Sequence, residues 1–367
     1  MNKLTSGGQA KGANPNPFRL GIWFRLHGVD IITMLFAGVA GLGIYFAPPA
    51  YNRWFPIQFQ DGEIVWPDVA APMQKEIVPI WLAAFLAFTI PFVFFCLYQI
   101  RLRSVDHLFT TTMGLLKSLI SAALFQVIIK CLIGGLRPHF LIVCNPQIPA
   151  GLVGSGYQQL YFTREVCTGD KKDINDAVES LPSGHATAAF AGFIYFSLYL
   201  NAQLKLLSAH NPAYWKMLLF LAPILGALLI SLAMTLDSYH HWWDILVGGL
   251  IGTFCAFVAF RTTFASVWDF RFNHVLLPRT TSLFLRRPME EKGLQTFGYV
   301  LGEGVSWPVV TREGGWGDVQ EQVGGAPFDA SAMHGRAAVA TGTGFGGMGG
   351  GRHAGVPRHS ADASTAV

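Results

Sequence analysis

Six stretches of the chain are long and apolar enough to be read as membrane-crossing helices, at approximately 29–47, 77–99, 108–133, 185–204, 216–236 and 241–262. Crossing the hydrocarbon core of a bilayer takes about 20 apolar residues as an α-helix, so the pattern predicts an all-α, six-span transmembrane bundle. Composition agrees. The 367 residues are 51% hydrophobic and 13% charged, against roughly 25% charged in soluble domains. The 29 Phe and 10 Trp suit a lipid-facing surface with aromatic belts at its edges. A net charge of +4, scattered along the chain, argues against nucleic acid as a partner.

The first 20 residues are polar and lack the apolar run and cleavage site of a secretory signal, so the first apolar segment is expected to stay as an anchor. Orientation follows from the short loops, because loops rich in Lys and Arg remain cytosolic. Lys3, Lys11, Arg19 and Arg25 precede the first span, Arg101 and Arg103 lie between the second and third, and Lys205 and Lys216 between the fourth and fifth. Arg261, Arg271, Arg279, Arg286 and Arg287 follow the last. The opposite loops, 48–76 and 138–182, hold more acidic than basic residues. Six spans with both termini cytosolic satisfy every loop.

The chain then divides into a cytosolic segment 1–28, a membrane domain 29–262 whose motif-bearing core is 108–262, and a cytosolic tail 263–367. From about residue 290 the tail is Gly-rich, with the run 341–351 near its end, and it is expected to be largely disordered. Lys117, inside the third run, is read as snorkelling to the cytosolic interface, and no span interior shows the paired ionisable residues of a transporter. None of the five cysteines has the Cys-x-x-Cys or Cys/His spacing of a zinc site, so no structural metal is expected.

Three clusters carry chemistry, and the topology puts all of them on the non-cytosolic side. The first is Lys130-Cys-Leu-Ile-Gly-Gly-Leu-Arg137-Pro138. Seven residues are about two helical turns, which would place Lys130 and Arg137 on one face as an anion site. The second is Pro182-Ser183-Gly184-His185, just before the fourth span. Ser183 is an N-cap by position, and a helix N-terminus with its free amides can cradle a phosphate beside a proton-donating His185. The third is His240-His241-Trp242-Trp243-Asp244. A carboxylate four residues after His240 can orient the imidazole for attack, while the two Trp are read as part of the aromatic belt.

Together these clusters resemble the signature of the type-2 phosphatidic acid phosphatases, also called lipid phosphate phosphatases: Lys-x6-Arg-Pro, Pro-Ser-Gly-His, then Ser-Arg-x5-His-x3-Asp. The resemblance covers roughly residues 75–262. It implies an integral membrane hydrolase of phosphatidic acid-like phosphomonoesters, including lysophosphatidic acid or diacylglycerol pyrophosphate, working through a phosphohistidine without metal or other cofactor. It implies roles as well: His240 as nucleophile, Asp244 as its orienter, His185 as proton donor, and Lys130, Arg137, Ser183 and Gly184 as phosphate holders. The implied partners are lipid phosphates and membrane lipids. In one place the chain departs from the pattern, reading Ala233-Met234 where Ser-Arg is expected. Met can donate nothing to a phosphate, which leaves Arg164, Lys171 and Lys172 as possible replacements and a relative that binds lipid phosphates without turnover as the alternative reading. Finally, Cys144 and Cys167 are the only cysteines in the non-cytosolic loops, and a disulfide between them is expected to staple loop 138–182 over the site.

Overall fold

A computed structural model describes residues 20–50, 52–58 and 62–277. The Gly-rich run and most of the expected tail lie outside the described residues. The helices are α1 (Leu20–Tyr45), α2 (Ile80–Leu102), α3 (Val105–Leu132), α4 (Phe140–Cys144), α5 (Lys171–Ala177), α6 (Gly184–Leu204), α7 (Tyr214–Leu236) and α8 (Trp242–Thr263). The only paired strands among the described residues are β1 (Phe55–Pro56) and β2 (Tyr161–Phe162), antiparallel, with Phe55 opposite Phe162. The protein is therefore all-α in substance.

Five of the six long helices are long and apolar enough to cross a membrane; α6 is of similar length but less apolar. Its surroundings explain why. α6 packs against α2, α3, α7 and α8, so its polar groups find protein partners: Ser197 Oγ donates to the Phe220 carbonyl at 3.0 Å and Asn201 Oδ1 accepts from the Leu207 amide at 2.9 Å. A helix enclosed by other helices has no need to match lipid. The main core forms around it, from Phe95, Leu115, Tyr195, Phe196, Tyr199, Phe260 and Phe264.

α6 and α8 approach closely because α8 carries Gly248 and Gly252, one helical turn apart. A Cβ at Gly248 would sit 2.5 Å from the Ser183 carbonyl oxygen, and one at Gly252 2.5 Å from that of Thr187. Small residues at this spacing let helix backbones meet in a membrane. The contact brings the first turn of α8 against that of α6, where the Ser183 amide donates to the Asp244 carbonyl at 3.0 Å.

The loops at this end form a cap with its own core of Phe55, Val69, Leu136, Phe140, Phe162 and Val166. Cys144 and Cys167 are joined by a disulfide across this core. Closing a loop of 23 residues is worth about 3 kcal/mol in a chain-entropy account. Reduction is therefore expected to lower the thermal midpoint of the purified protein, and peptide mass mapping without reductant is expected to recover the linked pair. Two free thiols would contradict it.

Two expectations need correction, and one segment adds to them. α1 starts at Leu20 rather than 29, because Trp23 is buried, stacked on His27 at 4.5 Å and edge-on to Phe109 of α3 at 5.3 Å. Beyond α8, residues 264–277 form a tied strap: the Ala265 amide donates to the Val275 carbonyl, and Lys205 Nζ holds it through Asn273 Oδ1 at 2.7 Å. Lys117 does not snorkel alone, since its Nζ lies 2.5 Å from Asp30 Oδ2 on α1. A span interior therefore does hold a pair of ionisable residues.

Candidate active site at the capped end of the bundle

Lys130 sits in the last turn of α3 and is buried. Arg137 is not on the same helix, contrary to the helical-spacing argument: α3 ends at Leu132, and Gly134, at φ 51°, turns the chain. That left-handed conformation is open to glycine at little steric cost. Arg137 returns to Lys130 by another route. The Gly135 and Arg137 amides donate to the carbonyls of Val178 and Ala177, each at 2.8 Å, and the Ser180 amide donates back to Gly135 at 2.9 Å. This short pairing lays the Arg137 segment beside the approach to Ser183. The guanidinium rests on the Tyr239 ring, 5.3 Å from its centroid, and one Nη donates to Asp176 Oδ1 of α5 at 2.6 Å. Arg137 Nε has no partner among the described residues.

Ser183 caps α6, accepting from the Ala186 amide. Gly184 opens the helix, and a Cβ there would come within 3.5 Å of Gln126 Nε2 and 3.4 Å of Ile80. His185 follows. It is buried, with no partner for Nε2 among the described residues, and its ring centroid lies 6.3 Å from that of His240.

His240 also departs from the helical argument, because α8 begins at Trp242. The imidazole is held instead by a tight turn after α7. The amides of Tyr239 and His240 both donate to the Met234 carbonyl at 3.1 Å, and the buried Asp237 carboxylate accepts from the Ile77 and Tyr239 amides. From this turn His240 Nδ1 lies 3.7 Å from Asp244 Oδ2 and 3.4 Å from Ser180 Oγ. The Ser180 hydroxyl donates to the same carboxylate oxygen at 2.5 Å, and the His241 amide donates to it at 3.0 Å. Asp244 thus fixes a serine, the helix cap and the histidine ring together. Burial holds the His240 imidazole well below its usual range, with the Asp244 hydrogen bond opposing and the Arg137 and Lys130 charges adding to the effect. A neutral imidazole oriented through one nitrogen keeps a lone pair on the other for attack.

The structure therefore brings Lys130, Arg137, Ser183, Gly184, His185, His240 and Asp244 to one end of the bundle, beneath the stapled cap. It does not bring Arg164, whose Nη1 donates to Asn175, and Lys171 and Lys172 are exposed at the start of α5. Met234 is fully buried in an apolar cluster with Ala186 and Ile245, the chain neighbours of His185 and Asp244. Four participants carry no motif signal: Ser180 on Asp244, Asp176 on Arg137, Tyr239 under the guanidinium, and His139, whose Nδ1 pairs with the Ser238 carbonyl at 2.9 Å. A Ser three residues before a helix cap and an Asp in a polar loop look ordinary in a sequence.

Helices of spanning length around a capped cluster of two histidines, a carboxylate and two cations define a helical membrane protein with an anion-competent histidine site. Residues 111–268 match the model of the PAP2 superfamily, and the chain belongs to that superfamily. It is 30% identical over 198 residues to "Lipid phosphate phosphatase 2" of Arabidopsis thaliana, covering 53% of this chain and 66% of the relative. It is 35% identical over 170 residues to "Diacylglycerol pyrophosphate phosphatase 1" of Saccharomyces cerevisiae, covering 46% and 57%. "Probable lipid phosphate phosphatase 4" of Arabidopsis thaliana is 29% identical over 247 residues, covering 67% and 75%. The chain thus spans from just over half to three quarters of the length of these relatives. No solved structure matches it.

Proposed function

We propose that the chain is an integral membrane lipid phosphate phosphatase that hydrolyses phosphatidic acid-like phosphomonoesters, lysophosphatidic acid and diacylglycerol pyrophosphate being further candidates, through a phosphohistidine and without metal. The observation that carries this reading is the Asp244–His240 pairing, braced by Ser180 and set beside Lys130 and Arg137. The printed names of the relatives support the substrate class.

In the proposed first step, His240 attacks phosphorus, the bond from phosphorus to the lipid oxygen breaks, and His185 gives that oxygen its proton. In the second, water attacks the phosphohistidine, His185 takes the water's proton, and inorganic phosphate leaves. Lys130, Arg137, the Ser183 hydroxyl and the Gly184 amide hold the phosphoryl oxygens as charge develops. Asp244 keeps the ring of His240 oriented. The basic loops support a bundle of six spans with both termini cytosolic and the site facing the other side.

The test is phosphate release from short-chain phosphatidic acid in detergent. Turnover is expected to be unchanged by chelator and blocked by vanadate, a phosphate analogue that would compete for the same cations. Strict magnesium dependence would remove the phosphohistidine mechanism. Met234, in place of the pattern's arginine, favours the second reading, a relative that retains lipid phosphates without cleaving them; lipid binding with no release of phosphate would establish that one.

A further inference from the structure

A cavity of about 510 Å³ lies between α1, α3 and α8, and among its lining residues are the ion pair Asp30 and Lys117 with Ser121, Phe125 and Phe254. It is remote from the phosphate-binding cluster. Lys117 and Lys130 are on the same helix, and thirteen residues at 1.5 Å each separate them by about 20 Å along the axis. Phe125 and Phe254 are exposed on the outside of the bundle, so the cavity lies beside the lipid phase. The Lys117 and Asp30 side chains keep 28% and 16% of their surface accessible.

Ionisable side chains inside a span are costly and usually mark a polar function. Here the two charges cancel, and their contact at 2.5 Å puts an ammonium donor beside a carboxylate acceptor. That combination suits a group that both donates and accepts, namely a hydroxyl. It does not suit a phosphate, whose charge would meet the carboxylate as closely as the ammonium. The phenyl groups and the apolar remainder of the wall suit acyl chains. We infer that this cavity binds an uncharged lipid alcohol of the diacylglycerol class, its free hydroxyl set on the Asp30–Lys117 pair. Diacylglycerol is also the alcohol released in the reaction proposed above, but the inference stands on the ion pair and the cavity alone.

The test uses the full chain in phosphatidylcholine nanodiscs with a photoactivatable diacylglycerol, followed by peptide mapping. Labelling is expected to be saturable, to fall on peptides containing Phe125 or Phe254, and to be displaced by unlabelled diacylglycerol at least tenfold better than by a phosphonate analogue of phosphatidic acid, which the protein cannot convert. Ser121→Phe, which fills the cavity without touching the ion pair, is expected to cut the labelling at least fivefold at an unchanged thermal midpoint. Lys117→Met, assessed for folding in parallel, is expected to weaken displacement by diacylglycerol. Labelling that does not saturate, or that Ser121→Phe leaves intact, would mean ordinary lipid contact and overturn the inference. So would equal displacement by the phosphonate. None of these readouts depends on phosphate release.

Discussion

His240→Ala is expected to abolish phosphate release, by about four orders of magnitude, while leaving the protein folded. The size follows from the role proposed for it: without a nucleophile no phosphohistidine forms, and residual catalysis rests on phosphate binding alone. Folding survives because Asp244, the buried group most at risk, keeps the Ser180 hydroxyl and the His241 amide as donors. The structural cost should stay within about 1–3 kcal/mol, the range for losing one buried hydrogen-bond partner. Initial rates and thermal midpoint measured on the same preparation separate the two effects. Retention of more than about a tenth of the wild-type rate would point to another nucleophile. His241 is the obvious candidate, since its Nδ1 lies 3.5 Å from the same carboxylate.

Met234→Arg is the second large effect, and it should appear in stability first. Met234 is fully buried and packs in an apolar cluster with Ala186, Ile245, Val78 and Tyr239. A guanidinium forced into such a place is an uncompensated buried charge, which costs on the order of 3–5 kcal/mol. Loss of monodisperse protein on size exclusion is the expected result, whereas Met234→Leu should cost less than about 1.5 kcal/mol. The opposite result would be informative. A folded Met234→Arg protein with faster turnover would mean that the cluster opens to the phosphate and that the wild-type site works with one guanidinium fewer than it can accommodate.

Much of this architecture is legible in the sequence because lipid imposes a coarse rule, length and apolarity, that five of the long helices obey. The exception is α6, read as an apolar run at 185–204 but less apolar than the other five because its polar groups are hidden by neighbouring helices. The members of the candidate cluster stand out by residue type, as at Lys130, Arg137, His185, His240 and Asp244, and their roles belong to the function proposed above. The cluster was misread where spacing stood in for geometry. Arg137 and His240 are both off-helix, placed by main-chain bonds to residues 177–180 and by the turn at 237–241. Ser180 and Asp176 were invisible because their importance comes only from what the fold sets beside them. The Lys117–Asp30 pair was missed because it joins two spans far apart in the chain, and no local period records that.

The ion pair between Arg137 and Asp176 has a bearing on what the site can admit. Asp176 stands on α5 with more than half of its side chain in the open, 56%, while Arg137 is 6% exposed. The disulfide-stapled cap thus keeps a carboxylate of its own at the guanidinium, at the high local concentration that tethering confers. A fatty acid or any other singly charged carboxylate brings nothing that Asp176 does not already supply, and it must compete with a rival that never diffuses away. A phosphate monoester brings a second charge and a third oxygen, enough to engage Lys130 as well. On the function proposed above, Asp176 is therefore an intramolecular competitor for the Arg137 guanidinium, one that a phosphate monoester displaces more readily than a fatty acid carboxylate does.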